Sequence, residues 1–124
     1  MVPESEFRAG VEGDLYRAAN LEQDGFVHCA DEPSVLAVAN DYYADVSEPL
    51  LLLEIDPGRL GAETRYEAPA PLPAAGSSHQ ETAQRFPHVY GPIELSAIRG
   101  VGVLTSGPNG YAWPTAFGDV PAPS

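Results

Sequence analysis

Two short segments hold the residues best suited to chemistry: Gly25-Phe26-Val27-His28-Cys29-Ala30 and Phe86-Pro87-His88-Val89-Tyr90-Gly91-Pro92. Each sets a histidine among strand-forming apolar residues and bounds it with turn formers. An imidazole is costly to bury without a hydrogen-bonding partner. Two such placements in one small domain point to imidazoles facing a shared pocket. If residues 86–90 are extended, His88 and Tyr90 share one face and Val89 takes the other. An imidazole beside a phenol can donate, accept or transfer protons near neutral pH. The same pair could instead be a structural Tyr–His hydrogen bond, and the two readings balance. For His28 the plain alternative is a core histidine bonded to a carbonyl; the similar setting of His88 favours the pocket. His28 and Cys29 are adjacent on a strand and point to opposite faces, so they do not form a Cys–His pair. Cys29 reads as a small buried residue.

Arg65 and Glu67 flank Tyr66 in Glu63-Thr64-Arg65-Tyr66-Glu67 and share a face of a short strand. The planar fork of Arg65 suits a carboxylate or phosphate; the commoner outcome at this spacing is a surface ion pair with Glu67. Arg65, Tyr66 and Phe86 form the expected substrate-binding set, and His28, His88, Tyr90 and Glu67 the expected catalytic set. Glu54, surrounded by apolar residues, is a candidate for a perturbed acid unless it reaches solvent. No metal site is expected: the histidines are His28, His79 and His88, with no short-spaced ligand pair among them. Ser77-Ser78 lacks a nucleophile elbow, and Gly100-Val101-Gly102 sits in a strand rather than a strand-to-helix phosphate turn.

The elements that must position these residues fit one small domain. The chain has 124 residues, 44% of them hydrophobic, enough for a single core. We expect a domain over 1–106 and a Gly/Pro-rich tail over 107–124. A short helix is expected over 3–10, a turn-rich stretch to Asn20, and a tight turn over 21–25 into a strand over 26–29. A helix follows over 32–43, with Asp31 as its N-cap and Val35, Val38, Ala39 and Tyr42 packed on a sheet. Residues 49–56 read as a central strand, apolar on both faces. Residues 63–67, 86–90 and 99–104 read as further strands, and 68–85 as a long loop that could serve as a lid. The fold class is α+β: a curved, mostly antiparallel, split sheet flanked by two short helices. The strand–helix–strand unit over 26–56 could supply one parallel pair.

Eighteen acidic residues stand against six arginines and no lysine, for a formal net charge of −12. Nucleic acids and anionic membranes are bound through basic patches, so neither is expected as a partner. A small-molecule ligand is expected, and the oligomeric state is open. No apolar run matches a membrane span and no secretory signal is evident. The single cysteine forms no internal disulfide, and a cytoplasmic protein is expected.

The blocks "LEQDGFVHCA", "VLAVANDYY", "LLLLEIDPGRLGAETRYE" and "FPHVYGPIEL" resemble, in order and spacing, those of a small bacterial family, the domain-of-unknown-function family DUF952. The resemblance spans about residues 14–104. The family form opens with a strand before its first helix, so a shortened or absent first strand is expected here. It also carries serine where Ala30 stands, so this chain has no hydroxyl there. The family fold is similar to that of the ADP-ribosyltransferase superfamily. That resemblance implies a cleft for NAD, as substrate rather than bound cofactor, or for an ADP-ribose-like ligand. It places His28 on a ribose hydroxyl, His88 and Tyr90 on the nicotinamide-ribose side, Arg65 on a phosphate, and Glu67 against the nucleophile. The alternatives are a non-catalytic metabolite-binding module, or a cyclase or lyase with His88 and Tyr90 as acid and base.

Overall fold

A computed structural model describes residues 1–68 and 85–120. Its backbone forms three antiparallel sheets. The largest has the order β1 (Val2–Pro3), β5 (Leu50–Ile55), β9 (Ile98–Gly107) and β10 (Gly110–Ala112). A second joins β2 (Val11–Glu12), β3 (Leu15–Tyr16) and β8 (Ile93–Glu94). The third, which carries the candidate chemistry, has β7 (Phe86–Val89) between β4 (Val27–His28) and β6 (Thr64–Glu67). Three helices accompany them: α1 (Glu4–Gly10), α2 (Ala19–Asp24) and α3 (Val35–Tyr42). The α+β class and the antiparallel sheets match the expectation. The parallel pair does not form: β4 and β5 lie in different sheets, and every ladder among the described strands is antiparallel.

The run of leucines in β5 is buried on both faces, as a central strand requires. Leu51 joins one cluster with Phe7, Tyr16, Val27, Val89 and Ile93. Leu50 and Leu52 join a second, where Val35 and Ala39 of α3 cover the sheet. Val38 is only half-buried and Tyr42 is exposed. Farther along β5 Glu54 is exposed, which removes it as a desolvated acid. The expected capping role of Asp31 is also absent. A 3-10 turn (Glu32–Ser34) precedes α3, and Asp31 makes no side-chain cap bond; its carboxylate accepts a hydrogen bond from Tyr66 at 3.0 Å.

The stretch read as turns to Asn20 contains the β2–β3 hairpin and the start of α2. This helix buries none of its residues, so it shows no apolar stripe in the sequence. It ends at Gly25, whose φ of +83° is a left-handed cap closed by a bond to the Leu21 carbonyl. The first strand is present in short form, pairing Val2 with Leu51 and Pro3 with Leu50. The tail is partly ordered sheet: β10 pairs with β9, and Val101 exchanges two 2.9 Å backbone bonds with Gly118. Gly102 permits this crossing, because a Cβ there would lie 2.6 Å from the Pro114 Cβ. The proposed lid over 68–85 lies almost wholly outside the described residues. Among the described residues no helix is long and apolar enough to cross a membrane.

Candidate functional site

The register of the third sheet brings the two histidines together. His28 pairs directly with His88 across β4 and β7, and their ring centroids are 5.4 Å apart. On the other side of β7, Arg65 pairs with His88 and Glu67 with Phe86. Directly opposed residues share a face, so this face carries His28, His88, Phe86, Arg65 and Glu67, with Tyr90 just beyond the strand.

Glu67 is the hub. Its Oε1 accepts from His88 Nδ1 at 2.9 Å and from the Tyr90 hydroxyl through a short bond. A carboxylate only accepts, so the proton of neutral His88 resides on Nδ1. The bond from Tyr90 first, and that from His88 second, hold the Glu67 carboxyl below its ordinary range. The same bond to Glu67 raises the Tyr90 phenol, which therefore keeps its proton. His28 has its own carboxylate: Nε2 donates to Asp24 Oδ2 at 2.9 Å, linking the end of α2 to β4.

Phe26 was not among the expected site residues, yet it organises the cluster. Its ring stacks on His88 at 4.2 Å and lies 4.7 Å from His28 and 5.3 Å from Tyr90. The sequence signal was the Phe-x-His alternation, which places residues 26 and 28 on one face of an extended segment. This packing has a consequence for His88: it is only 3% exposed and does not open directly to solvent. The side chains of His28 and Glu67 are 34% and 36% exposed, so these two are the accessible polar members of the cluster. Phe86 is buried opposite Glu67.

Two of the expected site residues already have partners. The Arg65 fork is filled by Glu63, not Glu67, with contacts of 3.0 Å from both Nε and a terminal nitrogen. Its hydrogen bond and charge lower the Glu63 carboxyl. The guanidinium also lies 4.7 Å above the Tyr90 ring, within cation–π range. Tyr66 points to the opposite face of β6, where its hydroxyl meets Asp31; that bond, more than burial, raises its phenol.

That opposite face borders a cavity of about 550 Å³ between the sheets, walled by Val27, Cys29, Pro87 and Val89 on one side and Leu53 and Ile55 of β5 on another. Burial pushes the Cys29 thiol up, which keeps it protonated and a poor nucleophile. The third sheet thus divides a polar–aromatic outer cluster from an inner space walled largely by apolar side chains. Among the described residues no group of three His, Cys, Asp or Glu is placed to hold a metal ion.

A small α+β domain of antiparallel sheets, with a carboxylate–imidazole–phenol cluster on one sheet face, is the class that the fold and site define. Residues 1–101 match the family model described as "Protein of unknown function (DUF952)", and the chain belongs to that family. Two crystal structures of protein CC0527 from Caulobacter crescentus, one of them a double mutant, are similar to it. Each is 22% identical, with a TM-score of 0.67, over 89% of this chain and 87% of that one. At that identity the likeness speaks for the fold alone. No curated protein matches.

Proposed function

We propose that the outer face of the β4–β7–β6 sheet acts on a small nucleotide of the NAD or ADP-ribose type, hydrolysing or transferring at its N-glycosidic bond. One observation carries this reading: Glu67 is kept ionised by Tyr90 and His88 while its side chain stays accessible beside a half-exposed His28. A fixed anion of this kind stabilises the ribosyl cation that develops as the glycosidic bond breaks. The leaving base departs with the electron pair of the C–N bond. Water or an acceptor hydroxyl then adds to the ribosyl carbon, and its proton passes to the His28 Nδ1 nitrogen, since Nε2 is bound to Asp24. His88, buried behind Phe26, orients Glu67 rather than meeting the substrate. Arg65 takes the pyrophosphate by exchanging its Glu63 partner for it. The ADP-ribosyltransferase-like fold expected from the sequence blocks points to the same ligand class.

The experiment is a thermal-shift screen with NAD, ADP-ribose and nucleoside phosphates, followed by product analysis of any hit. We expect a nucleotide to raise the melting temperature, and Glu67→Gln to abolish product while retaining binding. Binding without product by the native chain would make this a metabolite-binding module. No shift with any nucleotide would overturn the reading.

A further inference from the structure

The inner cavity lies behind the outer cluster, shares His28 with it, and has a different chemistry. The β pleat turns Val27, Cys29 and Val89 toward it, while the rings of His28 and His88 contact each other on the other face. Its volume of about 550 Å³ lies in the range of small-ligand sites. Among the described residues its titratable side chains, His28 apart, are acids: Glu6, Tyr16, Cys29, Asp31, Tyr43 and Tyr66. His28 also borders the space, but its Nε2 is bound to Asp24. No arginine lies on the wall, and the chain has no lysine. The α-amino group of Met1 also lies there, and burial lowers its pKa.

These acids sense one another. Burial first, then the Glu6 carboxylate, raises the phenols of Tyr16 and Tyr43, and Asp31 adds to the rise at Cys29. Glu6 and Asp31 are exposed, at the mouth, whereas Val27, Val89 and Ile93 are buried and apolar. Asn20, on α2, lines the same space, and its Oδ1 is buried without a hydrogen-bond partner. Such an atom is costly to leave unmatched.

From this arrangement we infer that the inner cavity binds a small organic cation: an amine with an apolar body. The ammonium meets Glu6 or Asp31 at the mouth and the faces of the tyrosine rings. The body fills the space between Val27, Val89 and Ile93. An anion, including the nucleotide proposed for the outer face, is repelled here. The inference therefore goes beyond the proposed function and does not depend on it.

The test titrates the full chain with phenethylamine, phenylpropionate and phenylethanol, followed by backbone amide NMR and thermal shift. The amine should bind at least about tenfold more tightly than the carboxylate, a gap of about 1.4 kcal/mol. Its shifts should map to residues 27, 29, 89 and 93. The Asp31→Asn, Glu6→Gln double variant should bring amine and alcohol to similar affinity. Ala18→Leu, which adds volume at a buried wall position, should weaken all three. If that variant does not fold, the wild-type shift map alone decides. Equal or tighter binding of the carboxylate would overturn the inference. So would amine binding unchanged by loss of both carboxylates, or shifts confined to residues 26, 28, 88 and 90.

Discussion

Replacing Phe26 tests whether its ring is the plate that sets the outer cluster. Truncating a fully buried Phe to Ala costs about 3–5 kcal/mol; Phe26 is half-buried, so the apolar loss alone is about 2 kcal/mol. The ring also stacks on His88 at 4.2 Å and meets His28 at 4.7 Å, and aromatic pairs add about 0.5–1.5 kcal/mol each. Phe26→Ala should therefore cost about 3–5 kcal/mol in all. Phe26→Leu keeps most apolar area and loses the ring, so it should cost about 1–3 kcal/mol. Urea unfolding of the three proteins measures both values. Histidine-ring NMR measures the second consequence: with the ring gone, His88 becomes exposed and its Nδ1–H exchanges faster with water, even in the leucine variant. A leucine variant as stable as wild type, with unchanged His88 exchange, would refute the reasoning.

Three further outcomes follow from the same geometry. Glu67→Gln should return the Tyr90 phenol toward its ordinary value, because the bond to Glu67 is the main cause of its rise; an ultraviolet pH titration reads this directly. The folded-state pKa of Glu67 is lowered, so its contribution to stability is present above the unfolded value and lost as pH falls through the folded one. Acid unfolding of Glu67→Gln should accordingly be less steep than that of wild type below about pH 4.5, the ordinary value. Gly102→Ala places a methyl 2.6 Å from the Pro114 Cβ, a clash with the proline ring of about 1–3 kcal/mol, and limited proteolysis should then cleave between residues 113 and 120 faster than in wild type.

The meeting of His28 and His88 was legible because both follow period-two alternation in segments bounded by turns, and β5 was legible because four leucines run together, with Ile55 one residue further on. The partners of those side chains were not. Asp24 reaches His28 only because α2 ends at Gly25 and returns the chain, and α2 has no buried residue to betray it. Glu63 rather than Glu67 captures Arg65 because His88 and Tyr90 already occupy Glu67, a competition settled between β6 and β7 and invisible within either. The β2–β3 hairpin has two residues per strand, too few for alternation to register. In the tail, β10 is specified by contacts distant in sequence: the Tyr111 amide donates to Asn40 at 2.8 Å and its hydroxyl to the Tyr43 carbonyl at 2.8 Å. The face on which Tyr66 lies followed from its alternation with Arg65 and Glu67, yet grouping it with them as ligand contacts overlooked that period.

Because β7 is the middle strand, its odd and even positions belong to different compartments. His88 and its even-numbered neighbours serve the outer face, while Pro87 and Val89 wall the inner space. Sliding this strand by one residue against its neighbours would trade the two sets, sending an imidazole inward and a valine outward at the same stroke. Register here is therefore closed to gradual change: the segment can tolerate exchanges of side chain, but a one-residue slip erases the outer cluster and fills the inner space together.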